Sequence, residues 1–356
     1  MRRLILSLLT ALAPMAATAL TAVPVLRGLD NPWALAFLPD GRMLVTEKPG
    51  RLRIATPDGT VGPPLAGLPA VDASGQCGLL DVVVDPDFAS NGFVFWTFAE
   101  AGAGGNATAV ARARLEGDRL VDVRTIFRQR PLVSSRLHCG SRIVFGRDGT
   151  LWVGLGDRFT RKDDAQDPAN HLGKVVRIDR DGRVPADNPK LAAPEVWSLG
   201  HRNIQGAARH PATGELWTVE HGPQGGDEVN VPKAGANHGW PVVTRGRNYV
   251  TGTRIGEDGP KPGYEEALKV WVPSIAPSGM AFLTSERYPG WKGSLFVGAL
   301  KAQALVRITV DGRQVVGEER LLTDLKRRIR DVRQGPDGWL YVVTDGSDGQ
   351  VLRLQP

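Results

Sequence analysis

Long apolar runs are almost missing from this 356-residue chain. After residues 4–13 no stretch is long enough to cross a bilayer, and that first run is too short to do so. Cysteine is nearly absent. Two residues, Cys77 and Cys139, cannot form a disulfide framework, though an oxidising compartment would allow a single bridge. The six histidines show no zinc-ligand spacing. No basic or acidic block stands alone, and the formal charge of +6 is mild for this length. Such a balance gives no reason to expect nucleic acid and suits an acidic small molecule. Helical periodicity is also scarce, which excludes bundles and doubly wound α/β folds.

The beginning of the chain reads as a secretory leader. Arg2 and Arg3 precede the apolar run, and Ala17 and Ala19 form an A-x-A cleavage pattern. This predicts a signal peptide over 1–19, a mature domain over 20–356, and a periplasmic location. Without Arg2 and Arg3 the formal charge falls from +6 to +4.

A recurring hairpin fills the rest. "WALAFLPDGRMLVTE" at 33–47 reads strand, Asp-Gly turn, strand, and "RIVFGRDGTLWVGLGD" at 142–157 and "RDVRQGPDGWLYVVTDG" at 330–346 repeat it. Variants with other turns occupy 79–98, 206–222 and 279–300. An Asp-Gly pair between alternating apolar residues is a strong hairpin signal. Strand-like text follows each hairpin, as in "GKVVRIDRDGRV" and "GQVLRLQP". Six such units predict an all-β, six-bladed β-propeller with four-stranded antiparallel blades. A β-sandwich usually has fewer strands. "TAVPVL" near the mature N-terminus is expected to complete the last blade.

That topology gathers particular residues. The first strands of the hairpins line the central channel, so residues just before a first strand or just after a second one meet at a single mouth. The former are Gln76, His138, Arg202 with Asn203, Pro277 with Ser278, and Arg328 with Arg330. The latter are Glu47, Asp157, Gly222 with Pro223, Lys301 and Asp345. Strand ends are polar in any propeller because they meet water. Three arginines and a lysine aimed at one channel, with a histidine and amides, nonetheless suit a binding or catalytic site.

The words "RLHCGSR", "LGHRNIQG", "EHGPQGGDEVN", "ANHGWP", "GQCGLLDVVVDPDF" and "RRIRDV" carry a further signal. From about Leu29 to Arg353 the chain resembles the soluble aldose sugar dehydrogenases that depend on pyrroloquinoline quinone (PQQ), a family that includes soluble glucose dehydrogenases and sorbosone-dehydrogenase-like proteins. The resemblance implies a six-bladed propeller that uses PQQ and Ca²⁺ to oxidise aldoses at C1 to lactones. It implies His138 as general base, Asp157 as the carboxylate orienting it, and Gln76 beside substrate and cofactor. It implies Arg202 and Asn203 on the quinone, and Lys301, Arg328 and Arg330 on its carboxylates. The carbonyls of Gly222 and Pro223 are implied for Ca²⁺, and Asp227 lies close enough in sequence to join them or to satisfy loop amides. These residue types suit that chemistry. Guanidinium and ammonium groups bind carboxylates, Ca²⁺ takes oxygen ligands, and imidazole is a competent base near neutral pH.

The departures matter too. The long inserts of the larger glucose dehydrogenases are missing, which argues against their strict glucose selectivity and their dimer contacts, so a monomer or weak dimer is expected. Cys77 and Cys139 stand beside Gln76 and His138, in loops entering neighbouring blades. They are expected near enough to pair, and two buried thiols are the alternative. Two other functions remain open from the residues alone. A calcium-dependent lactonase would gather carboxylates on one metal and ignore the cationic rim. A non-catalytic propeller would bind a protein or glycan.

Overall fold

Asp-Gly and related turns close six antiparallel hairpins in the computed structural model, which describes residues 20–356. The leader expected over 1–19 lies outside the described residues. Each hairpin is extended to a sheet of four strands, and there are six such sheets. The first blade runs Pro32–Phe37, Met43–Glu47, Arg51–Ala55 and Val61–Pro64 in spatial as in chain order. The last blade is Ile329–Gln334, Leu340–Thr344 and Gly349–Gln355, and its outermost strand is Thr21–Leu29 from the start of the described chain. Thr21 pairs with Gln355, so the ring closes by hydrogen bonds between the two ends, as "TAVPVL" foretold. Among the described residues no helix is long and apolar enough to cross a membrane.

Burial grades outward from the channel. The second strands Met43–Glu47, Leu216–Glu220, Leu295–Ala299 and Leu340–Thr344 are buried at every residue. The outermost strand Gln314–Leu321 alternates between exposed and half-buried positions, the period of a sheet with one face in water. Each of the six buried apolar clusters joins two neighbouring blades. One contains Trp33 and Leu44 of the first blade with Leu80, Trp96 and Phe98 of the second. No blade buries its faces alone, so each depends on its neighbours for its core.

Polar groups hold the channel together. Arg142 opens the third blade and is only 2% exposed. Its Nη1 lies 3.2 Å from Asp81 Oδ1 and 3.0 Å from Asp331 Oδ1, while Nε donates to the Gln205 carbonyl at 2.7 Å. Arg333 reaches the same two aspartates at 2.6 and 2.9 Å. Asp331 also accepts from Leu35 N, and Asp81 from Ile143 N. The guanidinium of Arg142 stacks on Trp33, 4.0 Å from the ring centroid. Charged groups of three blades thus form one network, and neutral groups of two more, Leu35 N with Trp33 and the Gln205 carbonyl, join it. Five of the six inner strands also shift register close to their first residue, at Pro32/Ala34, Leu79/Val82, Ile204/Gly206, Pro277/Met280 and Ile329/Asp331. Such bulges re-aim side chains where a strand enters the channel.

Candidate active site

Where the inner strands begin, the channel opens into a cavity of about 270 Å³. Gln76, Asn203, Arg328 and Arg330 line it, as the topology predicts. Lys48, Asn31, Trp33, Gln205, His221 and Asp345 line it as well. Of these only Asp345 was singled out in the sequence. Lys48 follows the second strand of the first blade by one residue, so the strand-end rule could have found it. Gln205 lies inside an inner strand, where a polar residue reads as structural. Lys301 departs from expectation, since it is exposed at the rim and does not line the cavity.

The cations are held in place. Arg328 Nε and Arg330 Nε donate to the two oxygens of Asp345 at 2.8 and 3.1 Å. Burial pushes the Asp345 carboxyl up, but the two arginines outweigh it and hold the pKa below the usual value. Arg330 Nη1 donates to Gln205 Oε1 at 3.3 Å, and Lys48 Nζ to the Gly75 carbonyl at 2.6 Å. Three cations and several amides around so small a volume suit a compact polyanion.

His138 lies against the wall of this cavity. Its backbone N–H donates to Gln76 Oε1 at 2.9 Å, which fixes the amide beside it. Nδ1 meets Asp157 Oδ1 at 2.6 Å, so the proton of the neutral ring belongs on Nδ1 and the lone pair on Nε2. Trp240 Nε1 donates to Asp157 Oδ2 at 2.8 Å and steadies the carboxylate from the other side. That contact spans 83 positions and is invisible in the local sequence. Burial lowers the His138 pKa below 6.5, against the pull of Asp157. Burial raises that of Asp157, but bonding to His138 outweighs it and the net shift is downward.

The backbone here is unusual. His138 has φ of 50° and Ser141 of 101°, a left-handed region that non-glycine residues adopt at a cost and mostly at functional sites. Cys77 and Cys139, bonded in the structure with Cα atoms 5.7 Å apart, tie this loop to the one carrying Gln76. Thiol counting on unfolded, unreduced protein should find no free thiol. Opening the bridge by a Cys77→Ser, Cys139→Ser double change is expected to cost about 2–4 kcal/mol of stability, because the bridge closes a long loop. An unchanged urea midpoint would deny it that role.

Arg202 adjoins this group. Nη1 donates to the carbonyls of His221 and Gly222 at 2.9 and 2.6 Å, and its N–H donates to Glu220. Its Nε is buried without a protein partner. His221 is half-buried in the cavity wall, and desolvation followed by the nearby Arg202 charge pushes its pKa down to about 3. Asn203 accepts from Gly140 N and Gln205 Nε2.

Asp227 is bound by the loops on either side of it. Oδ1 accepts from Gly222 N at 2.9 Å, and Oδ2 accepts from Ser274 Oγ, Ile275 N and Ala276 N at 2.7–2.9 Å. Both oxygens accept from protein donors, so this carboxylate anchors the Gly222 and Ser274–Ala276 loops, while Oδ1 carries a single donor and keeps a lone pair. Among the described residues no group of three His, Cys, Asp or Glu side chains could hold a metal ion. Main-chain oxygens are therefore candidate ligands for a cation at this mouth. Such a donor set disfavours the lactonase arrangement of converging carboxylates.

Comparison with known proteins agrees with this architecture. The Glucose / Sorbosone dehydrogenase family profile matches residues 29–353. The aldose sugar dehydrogenase YliI of Escherichia coli is 46% identical over 352 residues, covering 96% of this chain and 94% of that protein. The crystal structure of the soluble aldose sugar dehydrogenase of Escherichia coli in its apo form superposes with a TM-score of 0.92 at 44% identity, over 95% of this chain and 100% of that one. The PQQ-bound aldose sugar dehydrogenase of Streptomyces coelicolor superposes with a TM-score of 0.78 at 29% identity, over 96% and 99%.

Proposed function

The chain belongs to the glucose / sorbosone dehydrogenase family and is an oxidoreductase, and from that premise we propose that it oxidises aldose sugars at C1 to lactones in the periplasm, using PQQ and Ca²⁺. The observation that carries this reading is the His138–Asp157 pair set against a cationic cavity and coupled to it through Gln76.

The residues present fit the cofactor. Lys48, Arg328 and Arg330 supply positive charge for its carboxylates, and Asn203 supplies an amide. Arg202 offers an unpartnered buried Nε for a further polar contact. For Ca²⁺ we propose the carbonyls of Gly222 and Pro223. Asp227 acts behind them by fixing Gly222 N–H. The Gly222 carbonyl already accepts from Arg202, and an oxygen with two lone pairs can serve both. When bound, PQQ supplies the hydride acceptor.

The protein's own part is proton and charge management. His138 Nε2 takes the proton of the C1 hydroxyl. Asp157, held by Trp240, keeps the ring in the required tautomer and stabilises its charged form. Arg202 places positive charge where negative charge develops during hydride transfer.

The test is reconstitution. Purified mature protein receives PQQ and Ca²⁺, and dye reduction is followed with a panel of aldoses while the product is identified. Lactone formation that requires PQQ supports the reading. Tight PQQ binding without sugar oxidation, or Ca²⁺-dependent lactone hydrolysis indifferent to PQQ, would overturn it. A binding measurement adds to this. Arg330→Ala should weaken PQQ about 10- to 100-fold in a fluorescence titration, the loss of one charge-assisted contact. Unaltered affinity would remove Arg330 from the cofactor site.

A further inference from the structure

The two residues after Asp157 reverse the usual rule of burial. Arg158 is 0% exposed, whereas Phe159 is 43% exposed. Globular proteins normally do the opposite with such a pair. The reversal is built into the backbone, because Arg158 and Phe159 both lie in the left-handed region, with φ of 60° and 64°. Two consecutive non-glycine residues there are costly and need other contacts to hold them. Those contacts are present. Arg158 Nη2 donates to Asn106 Oδ1 and to the Ser135 carbonyl, and Phe159 N donates to Asp157 Oδ1 at 2.8 Å. Burial lowers the Arg158 pKa to about 10, and its Nε and Nη1 lack protein partners. The fold therefore buries a charge at some expense and leaves an aromatic ring in solvent.

That ring stands beside the proposed base. Its centroid is 5.1 Å from that of His138, with the two planes at 85°. A sugar whose C1 hydroxyl lies within hydrogen-bond reach of His138 Nε2, about 3 Å, has the Phe159 ring as an immediate neighbour. A pyranose is polar at its rim and apolar on a face of axial C–H groups, which is the surface an exposed phenyl ring can cover.

Resting on the dehydrogenase reading above, we propose that Phe159 is a specificity-determining platform. It contacts the apolar face of the pyranose and favours aldoses whose C–H face is uninterrupted by an axial hydroxyl. His138 and Asp157 need no help from the ring to pair, so its contribution falls on sugar binding rather than on proton transfer.

The test uses cofactor-loaded protein and 1,5-anhydroglucitol, a pyranose without the C1 hydroxyl that cannot be turned over. Calorimetry should show about tenfold weaker binding for Phe159→Ala, with Phe159→Trp close to the unaltered protein. Phe159→Leu keeps apolar bulk without the ring and guards against a collapsed loop. It should fall between the two. For substrates, KM should rise by a similar factor in Phe159→Ala while the pH profile of kcat/KM stays in place. Equal affinities for the analogue in all four proteins would overturn the platform. So would a displaced pH profile, which would mean that the ring acts through His138. If the unaltered protein oxidises no aldose with PQQ, the dehydrogenase reading itself falls, and the platform falls with it.

Discussion

Replacing His138 by alanine lowers kcat by about 10²–10⁴-fold, the range over which a positioned general base contributes. PQQ affinity changes little, because the imidazole lies in the wall and does not line the cationic cavity. The pH profile gives a second reading. Burial places the His138 pKa below 6.5, so the imidazole is neutral and basic at pH 7. In the unaltered enzyme kcat/KM should rise as pH climbs through that lowered value and be level by neutrality. In the alanine variant this limb disappears with the group that causes it. Stopped-flow reduction of loaded enzyme by sugar, from pH 5 to 8, measures both. Retained turnover in a fully loaded variant, or an unchanged acidic limb, would assign the base elsewhere.

The second large effect is on the ring itself. Arg142→Leu is expected to destabilise the protein by about 3–5 kcal/mol, the cost of removing one partner from a buried ion network. Asp81 and Asp331 keep Arg333 but lose the guanidinium between them. The Gln205 and Arg330 carbonyls lose their donor at 2.7 and 3.1 Å, and Trp33 loses its stacking partner. Since Gln205 and Arg330 also line the cavity, PQQ should bind more weakly in the same variant. Urea unfolding of the apoprotein gives the first number and a PQQ titration the second. A midpoint within about 0.5 kcal/mol of the unaltered protein would show that the apolar clusters between blades hold the ring without this network.

The sequence by itself determined the architecture and most of the mouth. Alternation with period two and Asp-Gly turn chemistry are local signals, so all six hairpins were legible, and topology alone sent Gln76, Asn203, Arg328, Arg330 and Asp345 to one cavity. The neighbouring positions of Cys77 and Cys139 were legible for the same reason. What the tertiary structure decided depends on partners far apart in the chain. Leu35 meets Asp331 across 296 positions and Arg333 meets Asp81 across 252, and nothing in either segment names the other. The indole of Trp240 on Asp157, across 83 positions, is equally silent in sequence. Asp227 reads in sequence as a metal ligand or a loop anchor, and only the structure shows its anchoring donors at both oxygens. Lys301 follows a second strand as the rule requires, yet its side chain stays in solvent, because strand position fixes where a backbone ends and not where a long side chain goes. The inversion of Arg158 and Phe159 is the sharpest case. Residue type predicts the opposite burial, and only two left-handed backbone conformations, held by Asp157, Asn106 and Ser135, turn the charge inward and the ring toward the base.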